Sequence, residues 1–365
     1  MNSQRLKYID LGAGIMIFWM MIGHAIMTQF RAELFGFWDV TDLSLIPHKT
    51  HAVMDDNGHI GLANPNSLFP YLHFFMPWFF YKSGQFYKPN AIITFIIKDA
   101  QKLLWQFLVW SIVGYVMYIA FCFAFGSFTF HSVTYSVLRK LFLEGAIEIN
   151  TPLWFLLTLF GIRQVVNIVC ARVPEKYIVF VFSVLLVVGY LFSYLTFLYN
   201  HRLLPLWVAN GAAGLAFFSL GYIAHKYETK WWLLIPCLLG YIACCIWGFP
   251  VVSMRTNTLS SGLYLLNLPA CFAGIVVFNF VCRMVVRLIP QLWYSPFILI
   301  GRKAMILYVI HGLIYGSIIN ILELFELESI MPYTLWIILF FYVILIFFTC
   351  NTSKRNFAYN EINNN

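Results

Sequence analysis

Charge is what this sequence has least of. Asp, Glu, Lys and Arg together make up 10% of its 365 residues, where a soluble domain carries about 25%. The deficit runs along the whole length, which excludes a sizeable soluble domain within the chain. Paired metal-type cysteines are missing as well. The eight cysteines lie in or at the ends of apolar stretches, and no two form a CxxC pair or a zinc-like spacing. They read as small apolar packing residues. No internal repeat is evident, which counts mildly against the repeat-built secondary transporters.

What is abundant is apolar and aromatic. Hydrophobic residues reach 61% and aromatics 19%, a composition suited to membrane helices with interfacial Trp and Tyr anchors. Runs of about 20 apolar residues, the length a membrane crossing needs, fall at 9–30, 68–87, 103–125, 152–172, 177–198, 205–225, 231–250, 262–285, 304–322 and 333–350. Arg5 and Lys7 before the first run resemble a signal peptide, but the run is too long for one and no small-x-small cleavage site follows. It is expected to stay as the first helix.

The basic residues test this count. With the N-terminus in the cytoplasm and the spans alternating, only Arg31, Lys49, Arg139, Lys140, Arg202 and Arg255 of the 23 Lys and Arg fall outside. That is a strong positive-inside bias, and a missed span would have spoiled it. The expectation is an all-α, polytopic membrane helix bundle of about ten transmembrane helices, one domain over 1–365, with both termini cytoplasmic. The net charge of +8 sits in short connections, as topology signals do, so no nucleic-acid partner is expected.

Two connections are long. The outer loop 31–67 carries Asp39, Asp42, His48, His51, Asp55, Asp56 and His59. No metal-ligand spacing among them is convincing, and no metal is expected. A lid that bonds hydroxylated rings and a simple solvated loop are the two readings. The second connection, 126–151, contains the run 133–143 and reads as re-entrant or interfacial.

Polar residues inside such a chain are costly and so informative. His24 lies in the first span, about 15 residues from its start, or roughly 22 Å along a helix. Asp10 precedes it by a nearly whole number of turns and shares its helix face. The bland alternative for His24 is a neutral core histidine bonded to a backbone carbonyl. His73 and Lys82 flank Met76-Pro77-Trp78 in the second span, Trp154 stands near the outer end of the fourth, and His311 is embedded in the ninth, which Arg302 and Lys303 open.

These residues match a family. Tyr8-Ile9-Asp10 leading to Gly23-His24, Phe75-Met76-Pro77-Trp78-Phe79-Phe80-Tyr81-Lys82-Ser83-Gly84, Leu153-Trp154-Phe155-Leu156, and Ile300-Gly301-Arg302-Lys303-Ala304 through Leu307-Tyr308-Val309-Ile310-His311 resemble, in order and rough spacing, the motifs of the acyltransferase-3 family of integral-membrane O-acyltransferases. The resemblance covers residues 8 to about 350. It implies transfer of an acyl group, usually acetyl, from cytoplasmic acyl-CoA to a hydroxyl of a cell-surface polysaccharide or lipid-linked glycan, in a bacterial inner membrane. It makes His24 the general base, with Asp10 beside it in the catalytic set. Lys82, Lys98, Lys102, Arg302 and Lys303 become candidates for the CoA phosphates, and His73, Trp154 and His311 for the acceptor's surroundings. Acetyl-CoA enters as donor substrate, and membrane lipid is the remaining partner. The competing reading of each cation is a topology charge. The sequence departs from the family pattern at Ala13 and Asp99, where basic residues are usual, and at Ala304, where Ser is common. A transporter or flippase of a glycan precursor, and a catalytically lapsed relative, are the alternative functions.

Overall fold

A computed structural model of the chain describes residues 3–29, 69–124, 134, 139–147, 149–198, 205–250, 252–254, 258–259, 264–324 and 336–349. The expected outer loop 31–67 and much of 126–151 lie outside these residues; within the latter, 139–144 are helical. Among the described residues the structure is helical, apart from turns and a two-residue antiparallel ladder that pairs Val252 with Leu259 and Ser253 with Thr258.

The helices are α1 (Ser3–Gln29), α2 (Phe75–Gln85), α3 (Ile92–Asp99), α4 (Trp105–Ala124), α5 (Trp154–Cys170), α6 (Ile178–Leu198), α7 (Leu206–Ala224), α8 (Trp231–Trp247), α9 (Tyr264–Leu288), α10 (Gln291–Arg302) and α11 (Ala304–Leu324), followed by α12 (Trp336–Thr349). Among the described residues, five stretches are long and apolar enough to cross a membrane: Ile92–Ala124, Thr151–Cys170, Glu175–Leu198, Trp207–Ala224 and Tyr264–Leu288. The pair α10–α11, bent by 74°, passes the same test when taken together, as a broken span or a re-entrant loop, and α8 and α12 are shorter apolar helices. The polytopic helical bundle expected from the apolar runs is what the chain forms.

Three boundaries differ from the sequence reading. The second run is shortened to α2, preceded by a 3-10 turn over Phe69–Leu72. Pro77 is tolerated because it sits in the first turn of α2, where a backbone N–H has no helical partner to lose. The third run begins earlier: α3 passes through a single π turn, Ala100–Leu104, straight into α4, since nothing between Ile92 and Leu104 breaks a helix. Lys98 and Lys102 are therefore exposed helical residues and not loop residues. The connection before residue 304 folds into α10, which follows Pro290.

The chain divides into two compact units, one of Met1–Gly36 with Phe278–Asn365 and the other of Phe37–Val277. In the first, α10 crosses α1 at backbone distance. A Cβ on Gly14 would run into the Phe297 carbonyl, and one on Gly301 into the Asp10 carbonyl. Two small residues let the helices touch, as is usual where lipid leaves no hydrophobic force between them. Tyr8, Leu11, Cys282, Tyr294 and Ile298 form the core beside this crossing. In the second unit α2 and α7 meet in the same manner, with Gly84 against the Phe218 carbonyl and Gly221 against the Tyr81 carbonyl. Phe80, Phe217, Phe218 and Phe182 fill the space around them.

Candidate functional site

The crossing of α1 and α10 fixes the register of everything above it. Because Gly14 and Gly301 pin the two helices, Asp10 lies against Arg302, Oδ2 to Nε 3.2 Å. The bend after Arg302 then sends α11 along α1, and His311 arrives beside His24. The His24 Nδ1 and His311 Nε2 atoms are 3.1 Å apart. The ring planes are within 8° of parallel, with centroids 5.2 Å apart. The nitrogens are much closer than the centroids, so the rings meet edge to edge in nearly one plane. This is a hydrogen-bonded pair and not a face-to-face stack.

His311 is fully buried, and its second nitrogen, Nδ1, lies 3.2 Å from the carbonyl oxygen of Leu307. His24 is only partly buried. His311 thus makes a backbone-carbonyl contact of the kind anticipated for a core histidine, and His24 meets a second imidazole. Tyrosines surround the pair. The Tyr315 ring lies 5.6 Å from His24, and the Tyr308 ring 5.7 Å from His311. Tyr342, on α12, donates its hydroxyl proton to the His311 carbonyl oxygen at 3.4 Å.

Asp10 shares the face of α1 that carries His24, but fourteen residues separate them, roughly 21 Å along the axis. Its described partner is Arg302. Arg302 is exposed and Lys303 partly so. Lys7 donates to Gln291 Oε1 at 3.0 Å, and the Arg283 guanidinium lies 4.5 Å from the Tyr8 ring centre while donating to its hydroxyl at 3.1 Å. Lys7, Arg283, Arg302 and Lys303 thus gather around the first turns of α1 in this unit.

The remaining expected residues belong to the second unit. Lys82, read as a surface or CoA-facing cation, is buried. Its Nζ donates to Gln85 Oε1 at 2.8 Å and lies 3.8 Å from Glu228 Oε1, in a side chain with no exposure. The Trp78 and Tyr81 rings flank it at 5.6 and 5.7 Å. His73 is buried between Phe74 and Phe249. Trp154, at the start of α5, is buried against Phe80 and Phe155.

Three features escaped the sequence reading. Asp99, noted only as a departure from a family pattern, is held by Arg163 through two bonds, Nε to Oδ2 at 2.6 Å and Nη2 to Oδ1 at 2.9 Å. The Arg163 guanidinium also covers the Phe95 ring at 5.1 Å. Residues far apart in sequence give no local sign of such a pair. Tyr315 was legible: Leu307, His311 and Tyr315 follow one another at i, i+4 spacing and so share a face of α11. Glu228, flanked in sequence by Lys226 and Lys230, gives no local sign of its contact with Lys82.

Among the described residues no three His, Cys, Asp or Glu side chains are grouped as metal ligands would be. Comparison with curated proteins and with solved structures returned no match. The acyltransferase domain family, Acyl_transf_3, matches residues 6–352. That match takes in every helix described above apart from the first three residues of α1, and the chain belongs to the acyltransferase-3 family: it is an acyltransferase built of membrane helices.

Proposed function

We propose that the protein transfers an acyl group, acetyl in the first instance, from acyl-CoA to a hydroxyl of a cell-surface polysaccharide or lipid-linked glycan in a bacterial inner membrane, with His24 as general base. The observation that carries this reading is the His24–His311 pair: a partly exposed imidazole held by a fully buried one within apolar helices. An ionisable residue embedded among apolar helices is expensive and marks a functional site by default, and histidine's ordinary pKa near neutrality suits proton abstraction.

Supporting the donor assignment are the cations gathered at the start of α1. The exposed Arg302, steered by Asp10, and the neighbouring Lys303 offer donors to phosphate oxygens. Lys98 and Lys102, exposed on the α3–α4 helix, are further candidates. Lys82 is a weaker one, since Glu228 and Gln85 already engage it. We assign His73 and Trp154 to the acceptor's surroundings, as buried residues at the ends of α2 and α5. The departure at Asp99 is offset by Arg163, so the charge change there does not by itself argue for a lapsed enzyme.

The test is mass spectrometry of surface glycans from cells with and without the protein. Acyl esters that appear only when the protein is made support the proposal. Identical ester content in both contradicts it.

A further inference from the structure

We infer that His311 is a positioning residue that fixes the tautomer of His24, so that Nε2 of His24 is the atom that takes the proton. This rests on the reading of His24 as the base and adds to it the atom and the residue that selects it.

The argument follows the protons. A backbone carbonyl only accepts, so the Leu307 oxygen, 3.2 Å from His311 Nδ1, requires that nitrogen to carry hydrogen. A neutral imidazole has one N–H and one bare nitrogen. His311 Nε2 is then bare and accepts. Its neighbour at 3.1 Å, His24 Nδ1, must donate. Neutral His24 therefore has its lone pair on Nε2. One backbone carbonyl thus sets the protonation pattern of two rings in series, and full burial of His311 keeps water from competing for its nitrogens. A base ordered by a second group that receives its other N–H is a general device for holding an imidazole in one tautomer and orientation.

The step balances without a further reactant. His24 Nε2 takes the proton of an acceptor hydroxyl as its oxygen bonds to the thioester carbonyl carbon. The carbon–sulfur bond breaks, and the departing thiolate receives the proton from Nε2. Throughout, Nδ1–H of His24 stays on His311 Nε2, which steadies the transient imidazolium. Among the described residues, Tyr315 and Tyr308 on α11 and Tyr342 on α12 bring their rings to the pair.

Two near-isosteric variants separate positioning from packing. In His311→Gln the amide oxygen reaches the place of Nε2 and still accepts from His24. In His311→Asn the amide stops at the place of Nδ1: it reaches Leu307 but not His24. Full-length proteins in native membranes are compared using acetyl-CoA labelled in the acetyl group and counting label in the glycan fraction, with His24→Ala as reference and thermal melting to confirm folding. The expected result is His24→Ala inactive, His311→Asn reduced in kcat by about 10²-fold or more with KM for acetyl-CoA unchanged, and His311→Gln retaining at least a tenth of the activity, in line with general-base contributions of about 10²–10⁴. Folded Gln and Asn variants with equal activity, high or low, overturn the inference while the base assignment stands. An active His24→Ala overturns both.

Discussion

His24 on α1 and His311 on α11 meet through their ring nitrogens at 3.1 Å, although 287 residues separate them in sequence. The contact depends on a second one. Gly14 and Gly301 bring α1 and α10 together at backbone distance, and the 74° bend that follows turns α11 back along α1. The site is thus held from its far end by two residues without side chains.

Adding a methyl group at that crossing should be felt at the histidines. Gly14→Ala or Gly301→Ala places a Cβ into a backbone carbonyl, which cannot swing aside as a side chain does. Overpacking of this kind costs about 1–3 kcal/mol. The expected outcome is a lower melting temperature in detergent together with a loss of acyl transfer. Gly240→Ala, whose Cβ meets only the Ala273 methyl at an ordinary 3.7 Å, should change neither.

The Asp99–Arg163 pair should behave as a bidentate ion pair whose carboxylate is buried and whose guanidinium is partly exposed. Removing Arg163 leaves Asp99 buried and charged, a loss that reaches about 3–5 kcal/mol in fully buried pairs and is smaller where one partner meets solvent. Arg163→Met should lower stability strongly, and Arg163→Met with Asp99→Leu should recover most of the loss. Chemical or thermal unfolding of the two variants and the parent checks this. A double variant no better than the single would show the pair is not coupled.

Lys82 offers a choice between structure and substrate. If its work is to neutralise Glu228 and bond Gln85, then Lys82→Met destabilises the protein, and Lys82→Met combined with Glu228→Gln restores both melting temperature and KM for acetyl-CoA. If Lys82 holds a CoA phosphate, the double variant melts normally while KM stays raised. The buried geometry favours the first outcome.

Arg302 should report on the donor. Arg302→Ala is expected to raise KM for acetyl-CoA by about tenfold or more, the value of a charge-assisted hydrogen bond of about 1.5–3 kcal/mol, with kcat little changed. The effect should shrink as salt is raised, since the guanidinium is exposed and screened. Asp10→Asn should move KM the same way by less, because the guanidinium loses the carboxylate that aims it.

Much of the fold was legible because the bilayer imposes simple rules. Runs of apolar residues and the side on which Lys and Arg fall were enough to anticipate the helices from α4 to α9. Residues 291–302 were not read as a helix, because the stretch is too short for a span and contains Pro296, and the pattern of a bent pair has no length signature. At the site, His24 and His311 stood out individually as ionisable groups in apolar runs. Their contact did not, because it is set by the Gly14–Gly301 crossing, and small residues are too common in such helices to mark one crossing among many. The surroundings of Lys82 were illegible for a related reason: sequence pattern places a cation on a helix but says nothing of a Glu228 brought against it from another part of the chain.

The central claim is that the imidazole of His24 removes the proton from the acceptor hydroxyl. It is tested most directly by the rate at which labelled acetyl passes from acetyl-CoA to surface glycan in membranes holding His24→Ala, at matched protein level and melting temperature. The account predicts a fall of at least about 10²-fold with acetyl-CoA still bound. Transfer at the parent rate by the folded variant would contradict it.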